Sequence, residues 1–314
     1  YIEGKIEIGV IAEFIIYITM LTWPVAVVGW VTSIIQQAEA SQKRINSFLK
    51  TKSSVNNNGK VTNLKNSKIS FKNVSFKYPE TNIQALKGVT FSINHGMTLG
   101  IVGKTGSGKS TILDLIARSY DLNSGEIYIG DKVISSYDLR SLRSFISYVP
   151  QNPFLFSDTI IENIKFGNFN ANKEEVKKVA KNSSIHLDVS RFKDQYETIL
   201  GERGVNLSGG QIQRITIARA LLKKSEILIL DDCFSSVDAK TERKILPEIK
   251  KSKTNETVII VSHKVSSVMH ADAIIVLDEG VVVEKGTHEQ LLLFGGFYKK
   301  LAQKQLENIQ NIKF

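Results

Sequence analysis

The densest chemistry in this sequence is the run Gly103-Lys104-Thr105-Gly106-Ser107-Gly108-Lys109-Ser110. Its glycines let successive backbone N–H groups curl around one centre, and the helical pattern Thr111-Ile112-Leu113-Asp114-Leu115-Ile116 sets a positive helix N-terminus beside them. Such a loop cradles phosphate oxygens, with Lys109 reaching the β and γ phosphates of a nucleotide and the Ser110 hydroxyl ligating Mg²⁺. The apolar strand Leu99-Gly100-Ile101-Val102 precedes it, so the motif stands in the strand–loop–helix setting it requires. Gly103, Thr105, Gly106, Ser107, Gly108, Lys109, Ser110 and Thr111 are therefore expected to bind nucleotide. Farther on, the apolar run Ile227-Leu228-Ile229-Leu230 ends in Asp231-Asp232, as a buried parallel strand does when it delivers carboxylates to the mouth of a sheet. Asp231 is expected to hold Mg²⁺ through water.

Between these two motifs lies Leu207-Ser208-Gly209-Gly210-Gln211, followed by the helical Ile215-Thr216-Ile217-Ala218-Arg219-Ala220-Leu221. Here, in this order and just before the paired aspartates, the sequence resembles the ABC ATPase family. The resemblance implies that Leu207 to Gln211 contact the γ-phosphate held by an opposite subunit. It implies further roles one residue at a time. Tyr78, in Phe76-Lys77-Tyr78-Pro79, resembles the aromatic that stacks on adenine, and Gln151, in Tyr148-Val149-Pro150-Gln151, resembles the glutamine that senses Mg²⁺ and water. His263 resembles the switch histidine on the γ-phosphate, and Ser236 and Asp238, in Ser235-Ser236-Val237-Asp238, resemble the loop through which two sites communicate. Leu200-Gly201-Glu202-Arg203-Gly204 resembles a stretch found in exporters that meets the intracellular loops of the transmembrane domain.

One position departs from the family pattern. Most members carry glutamate directly after the metal-holding aspartate, as the base for the attacking water, and this sequence has Asp232. The carboxylate is withdrawn by about 1.5 Å, one C–C bond, and misplacement of that order can cost on the order of 100-fold in rate. Asp232, His263 and Gln151 are the expected catalytic group, working slowly. Asp232 fits the degenerate subunit of a heterodimeric exporter, whereas the retained His263 fits a homodimer; both pairings stay open, with every other motif favouring the homodimer.

The elements that must position these groups begin with a membrane span. From Ile8 to Ile35 the chain is almost wholly apolar, broken by the single charge Glu13, and crossing hydrocarbon takes roughly 20 residues. Lys43, Arg44, Lys50 and Lys52 follow it, which places that end and everything after it on the cytoplasmic side. Ile34, Ile35, Ala38, Ile45, Phe48 and Leu49 recur at helical spacing, so the helix is expected to continue as an amphipathic stalk ending near Lys50. Residues 51–67, rich in Ser, Asn, Lys and Gly, read as a linker. The chain starts at Tyr1 with no cleavable leader, which reads as a piece of a longer multi-pass protein of the inner (plasma) membrane. A single span cannot enclose a transport route, so the substrate is not legible.

The expected fold class is α/β, a P-loop NTPase with an antiparallel β subdomain and a helical signature subdomain, preceded by one transmembrane helix. The expected segments are 1–50, the last transmembrane helix and its extension; 51–67, the linker; 68–305, the nucleotide-binding domain; and 306–314, a tail. The expected cofactors are ATP and Mg²⁺. The expected partners are a second ABC half-transporter, the rest of the transmembrane domain and the bilayer. The resemblance implies an ATP hydrolase that drives export of lipid, drug or peptide-like substrates. The net charge of +10 could suit nucleic acid. The spacing excludes that reading, since chromosome-maintenance relatives insert hundreds of coiled-coil residues between the P-loop and the signature. An importer ATPase is disfavoured by the fused helix, and a disulfide framework by the single cysteine, Cys233.

Overall fold

Three apolar runs of four to six residues with no polar face can be buried only if both sides of their sheet are covered. The computed structural model, which describes residues 7–51, 53–201, 204, 206–252 and 255–311, shows how this is done. Strand residues alternate between two cores: Ile227, Ile229, Ile259, Val261 and Ile275 enter one, and Leu228, Leu230, Val258, Ile260 and Ile274 enter the other.

In chain order the elements are helix α1 (Ile8–Lys50), strands β1 (Ile69–Lys77), β2 (Gln84–Ile93) and β3 (Thr98–Gly103), helix α2 (Lys109–Ile116), and strands β4 (Ser124–Ile129) and β5 (Lys132–Val133). Helix α3 (Leu139–Ser144), strand β6 (Ile146–Val149), and helices α4 (Ile160–Lys165), α5 (Lys173–Asn182), α6 (His186–Val189) and α7 (Gly209–Leu222) follow. The chain continues through β7 (Ile227–Asp231), α8 (Ala239–Ser252), β8 (Thr257–Val261), α9 (Val265–Val268), β9 (Ala273–Asp278), β10 (Val281–Gly286), α10 (His288–Phe294) and α11 (Phe297–Asn311).

The central sheet has the order β10-β9-β3-β8-β7-β6, parallel except for the β9–β10 pair. A second, antiparallel sheet has the order β2-β1-β4-β5 and shares a core with one face of the first. The other face carries the helical subdomain, in which α7 packs against α4 and α5. Because β3, β7 and β8 run parallel, the loops that follow all three emerge at one end of the sheet. That end brings the phosphate loop, the paired aspartates and His263 together.

The chain divides into two units, Tyr1–Ser54 and Val55–Phe314. In the first, α1 is one helix of 43 residues with Pro24 inside it and no buried residue. Its most apolar 18-residue window has a mean hydropathy of 1.9, long and apolar enough to cross a membrane.

Within the second unit, residues 55–67 are tied to the rest of it. Asn57 donates to Asp138 at 2.9 Å and accepts from the Leu139 N–H at 2.8 Å. The buried guanidinium of Arg118 donates to the Asn56 carbonyl at 2.9 Å. Val55 is buried and Val61 and Leu64 pack against the shared core, so scattered single apolar residues and polar bonds together dock this segment, and hydrophobic periodicity gives no sign of it. Glu202, Arg203 and Lys52, named from the sequence, lie outside the described residues.

Candidate nucleotide-binding site

The phosphate loop is built for close backbone approach. Gly108 takes φ +98°, and a Cβ there would stand 2.5 Å from the Ala85 carbonyl oxygen, so only glycine can hold the turn into α2. It leaves α2 with no side-chain cap, and the donors of its first turn stay open. Lys109 is curled into the loop, its Nζ donating to the carbonyls of Gly103 at 3.0 Å and Lys104 at 2.7 Å. Burial lowers its pKa, and the nearby Asp232 and Asp231 work against that shift. The Ser107 hydroxyl, in the phosphate loop, is buried with no hydrogen-bond partner. A phosphate oxygen would supply what it lacks.

Asp231 ends β7 directly across from this loop. Its Oδ1 accepts from the Ser110 hydroxyl at 3.4 Å, and its Oδ2 from the Tyr148 hydroxyl at 2.9 Å. Burial raises the Asp231 pKa and Asp232 adds to it, while the bonds from Tyr148 and Ser110 oppose. Asp114 on α2 is raised in the same way, by burial first and by Asp231 second. A hydroxyl and a carboxylate oxygen separated by 3.4 Å, beside a buried carboxylate short of positive charge, are a hard-oxygen donor set suited to Mg²⁺. Gln151, read from sequence as a third metal contact, stands exposed two residues beyond β6.

Asp232 adopts φ +43°, a left-handed conformation that Asp tolerates better than most residues. Its N–H donates to Val261 at 2.9 Å, and its Oδ1 accepts from the Ser262 hydroxyl at 3.4 Å and the His263 N–H at 3.3 Å. The carboxylate is thereby tied to the end of β8, next to His263. Behind it, Ser262 bonds Ser267 at 3.2 Å, and Ser267 donates to the buried Glu242 of α8 at 2.6 Å.

Tyr78 meets Tyr120 and Phe76 edge-on, at 5.4 and 5.0 Å between ring centres, and its hydroxyl pairs with Thr111 Oγ1 at 2.9 Å. Thr105 is exposed on the loop's crown.

The signature residues sit elsewhere, at the N-terminus of α7. Ser208 caps that helix, accepting from the Gln211 N–H at 3.3 Å while Gln211 accepts from the Ser208 N–H at 2.9 Å. Leu207 packs partly against the helical-subdomain core. A Cβ on Gly210 would stand 2.8 Å from the Ser236 carbonyl, and one on Gly209 would touch the Ser236 side chain, so the glycines admit the Ser235–Asp238 loop against the signature. Asp238 caps the start of α8, accepting from the Thr241 N–H at 2.9 Å, and bonds from the Thr241 side chain first and this N–H second hold its pKa below the usual carboxylate value. Tyr148, Ser262, Glu242 and Tyr120 complete the site; Tyr148 and Ser262 lie within motifs that the sequence singles out, Tyr148-Val149-Pro150-Gln151 and Val261-Ser262-His263, whereas Glu242 and Tyr120 do not.

A phosphate loop at the C-terminal end of a parallel sheet, facing paired aspartates, with a helical insert capped by Ser-Gly-Gly-Gln, defines a P-loop ATPase domain of the ABC kind. Residues 86–235 match the ABC transporter family. The chain is 41% identical over 303 residues to YfiB of Bacillus subtilis, an uncharacterized ABC transporter ATP-binding protein, covering 96% of this chain and 52% of that protein. It is 39% identical over 304 residues to the multidrug resistance-like ATP-binding protein MdlA of Escherichia coli, with 97% and 52% covered. Among solved structures, a bacterial Atm1-family ABC exporter with ATP bound superposes with a TM-score of 0.81 at 34% identity, over 97% of this chain and 54% of that one. The chain belongs to the ABC transporter family, and it spans about half the length of the curated relatives it matches.

Proposed function

We propose that this chain is the ATP-binding, ATP-hydrolysing end of a membrane exporter. The observation that carries it is the convergence of Lys109, Ser110, Asp231, Asp232 and the His263 loop at one end of the central sheet. We take residues 1–50 as the last membrane helix and its cytoplasmic extension, 51–67 as the link, 68–305 as the nucleotide-binding domain and 306–314 as a tail. In this reading α1 lies in the inner membrane of a multi-pass protein, and the domain is cytoplasmic.

ATP phosphates enter the loop, Lys109 exchanges its loop carbonyls for phosphate oxygens, and the Ser107 hydroxyl gains a partner. Mg²⁺, when bound, neutralises phosphate charge, and Ser110, Asp231 and Gln151 are the side chains that would hold it. Tyr148 fixes one oxygen of Asp231 and leaves the other facing Ser110. Asp232 orients a water and takes its proton as the water oxygen bonds to the γ-phosphorus, and the electron pair of the breaking bond leaves on ADP. His263 steadies the γ-phosphate. Two domains close head to tail, Ser208 to Gln211 of one completing the phosphate site of the other, and binding energy drives closure and moves the membrane helices. The cargo is lipid, drug or peptide-like. The second subunit is another copy of this chain.

Asp232 favours a second reading, a slow site in a heterodimer, because its carboxylate is short and one of its oxygens already accepts from Ser262 and His263. Phosphate release by the intact, membrane-reconstituted protein, with Asp232→Glu and Asp232→Asn, separates them. Turnover abolished by Asn supports the homodimer. Turnover that requires a different half-transporter and ignores Asp232→Asn supports the slow site. No turnover in either setting contradicts the assignment as an ATPase.

A further inference from the structure

Helix α9 begins without a cap of its own. Its N-cap is Lys264, whose side chain makes no capping bond, and the N–H of Val265 is among the donors that every helix leaves open at its start. The missing acceptor comes from α11. Gln305 Oε1 accepts from the Val265 N–H at 2.8 Å, and the Nε2 of the same carboxamide donates to the His263 carbonyl at 2.7 Å. A cap needs only the first of these bonds. The second falls on the backbone of the switch histidine itself.

The 262–265 segment is thus gripped from two directions. On one side Asp232 accepts from Ser262 and from the His263 N–H, and Lys264 Nζ donates to the Phe234 carbonyl at 2.9 Å. On the other stands Gln305. Helix α11 is itself anchored at the opposite wall of the nucleotide site: the Phe297 ring lies 5.4 Å from Lys104 Nζ of the phosphate loop, and Glu284 accepts from the N–H groups of Phe297 and Tyr298. From Phe297 to Gln305 is about 12 Å of helix at 1.5 Å per residue. One helix therefore reaches from the rim of the phosphate loop to the switch histidine.

We propose that Gln305 is a positioning residue for hydrolysis: through its carboxamide, α11 sets where His263 stands relative to the γ-phosphate. The proposal rests on the reading of His263 as the γ-phosphate contact. Lost positioning of this kind lowers kcat and spares nucleotide binding.

The test uses the intact, membrane-reconstituted protein with Gln305→Met, which removes both bonds at similar volume, and Gln305→Glu, which keeps an acceptor for Val265 but cannot donate to His263. Two readouts are taken, the kcat and KM for ATP, and amide exchange at Val265 without nucleotide. The expected result is a kcat about tenfold lower in both variants with KM within about twofold. Val265 exchanges faster in the Met variant alone. Wild-type kcat in both variants overturns the proposal, as does a kcat loss confined to the Met variant, which would make Gln305 a helix cap and nothing more. Unchanged Val265 exchange in the Met variant overturns it as well. If the unsubstituted protein shows no turnover, the functional reading fails, and Val265 exchange still decides whether the brace exists.

Discussion

Helices α2 and α7 both begin on glycine-rich sequence, and both are assigned to the same phosphate, yet their N-termini are finished in opposite ways. Helix α2 starts on a left-handed glycine with no capping side chain, and a buried, unpartnered Ser107 hydroxyl stands in the loop before it. Helix α7 starts on a closed capping box in which Ser208 and Gln211 satisfy each other, and Gln211 also donates to Asp188 at 3.2 Å. One terminus is open to an anion as it stands. The other is parked, its donors partly occupied, and has to release its own cap before it can serve a ligand. The difference fits a cycle in which the phosphate loop binds first and the signature engages only when a partner brings a nucleotide to it.

The largest expected effect that tests this contrast is at Lys109. Lys109→Ala should weaken nucleotide affinity and turnover by roughly 100- to 1000-fold, measured by nucleotide titration and phosphate release. Near-normal affinity would remove the open terminus as the primary site. Ser208→Ala should act differently, leaving nucleotide affinity of the open site intact, removing turnover, and lowering domain stability by about 1 kcal/mol through loss of the cap. Denaturant unfolding reads that last term. Unchanged stability would mean that the capping box is not what occupies this terminus.

The smallest effect concerns Asp231. Burial raises its folded pKa above the usual carboxylate value, so its contribution to stability is present below the unfolded pKa and is lost as pH rises through the folded one. Above the folded pKa the ionised, buried group is a net penalty. Asp231→Asn should therefore raise the melting temperature of the nucleotide-free protein near pH 7, and the gain should shrink as pH falls through the carboxylate range. A lowered melting temperature at neutral pH would contradict the sign.

What the sequence made legible follows from this difference between local and distant contacts. The phosphate loop, the Asp231–Asp232 pair and Leu207–Gln211 are contiguous runs whose spacing is their geometry, and β7, β8 and β9 announce themselves as unbroken apolar runs. The groups that hold them come from far along the chain. Tyr148 meets Asp231 across 83 residues and Gln305 meets His263 across 42. Each is a single polar contact, which leaves no periodic trace. The stretch after α1 carries contacts of the same kind. Its Asn and Gly content signals a linker, but Asn57 and the Asn56 carbonyl make specific bonds to Asp138 and Arg118, and a Cβ on Gly59 would collide with the Tyr137 carbonyl. The left-handed backbone of Asp232 could not have been read from its type alone.

The central claim is that the open and the parked terminus act on one phosphate from two different chains. It is tested by isolating mixed pairs in which one copy carries Lys109→Ala and the other Ser208→Ala, with each variant paired with itself as a control. Each variant alone has a lesion in both composite sites and should be inactive. In the mixed pair one site carries both lesions and the other carries none, so about half of the wild-type phosphate release should return. A mixed pair as inactive as its parents would show that the two termini do not meet across a pair of these chains.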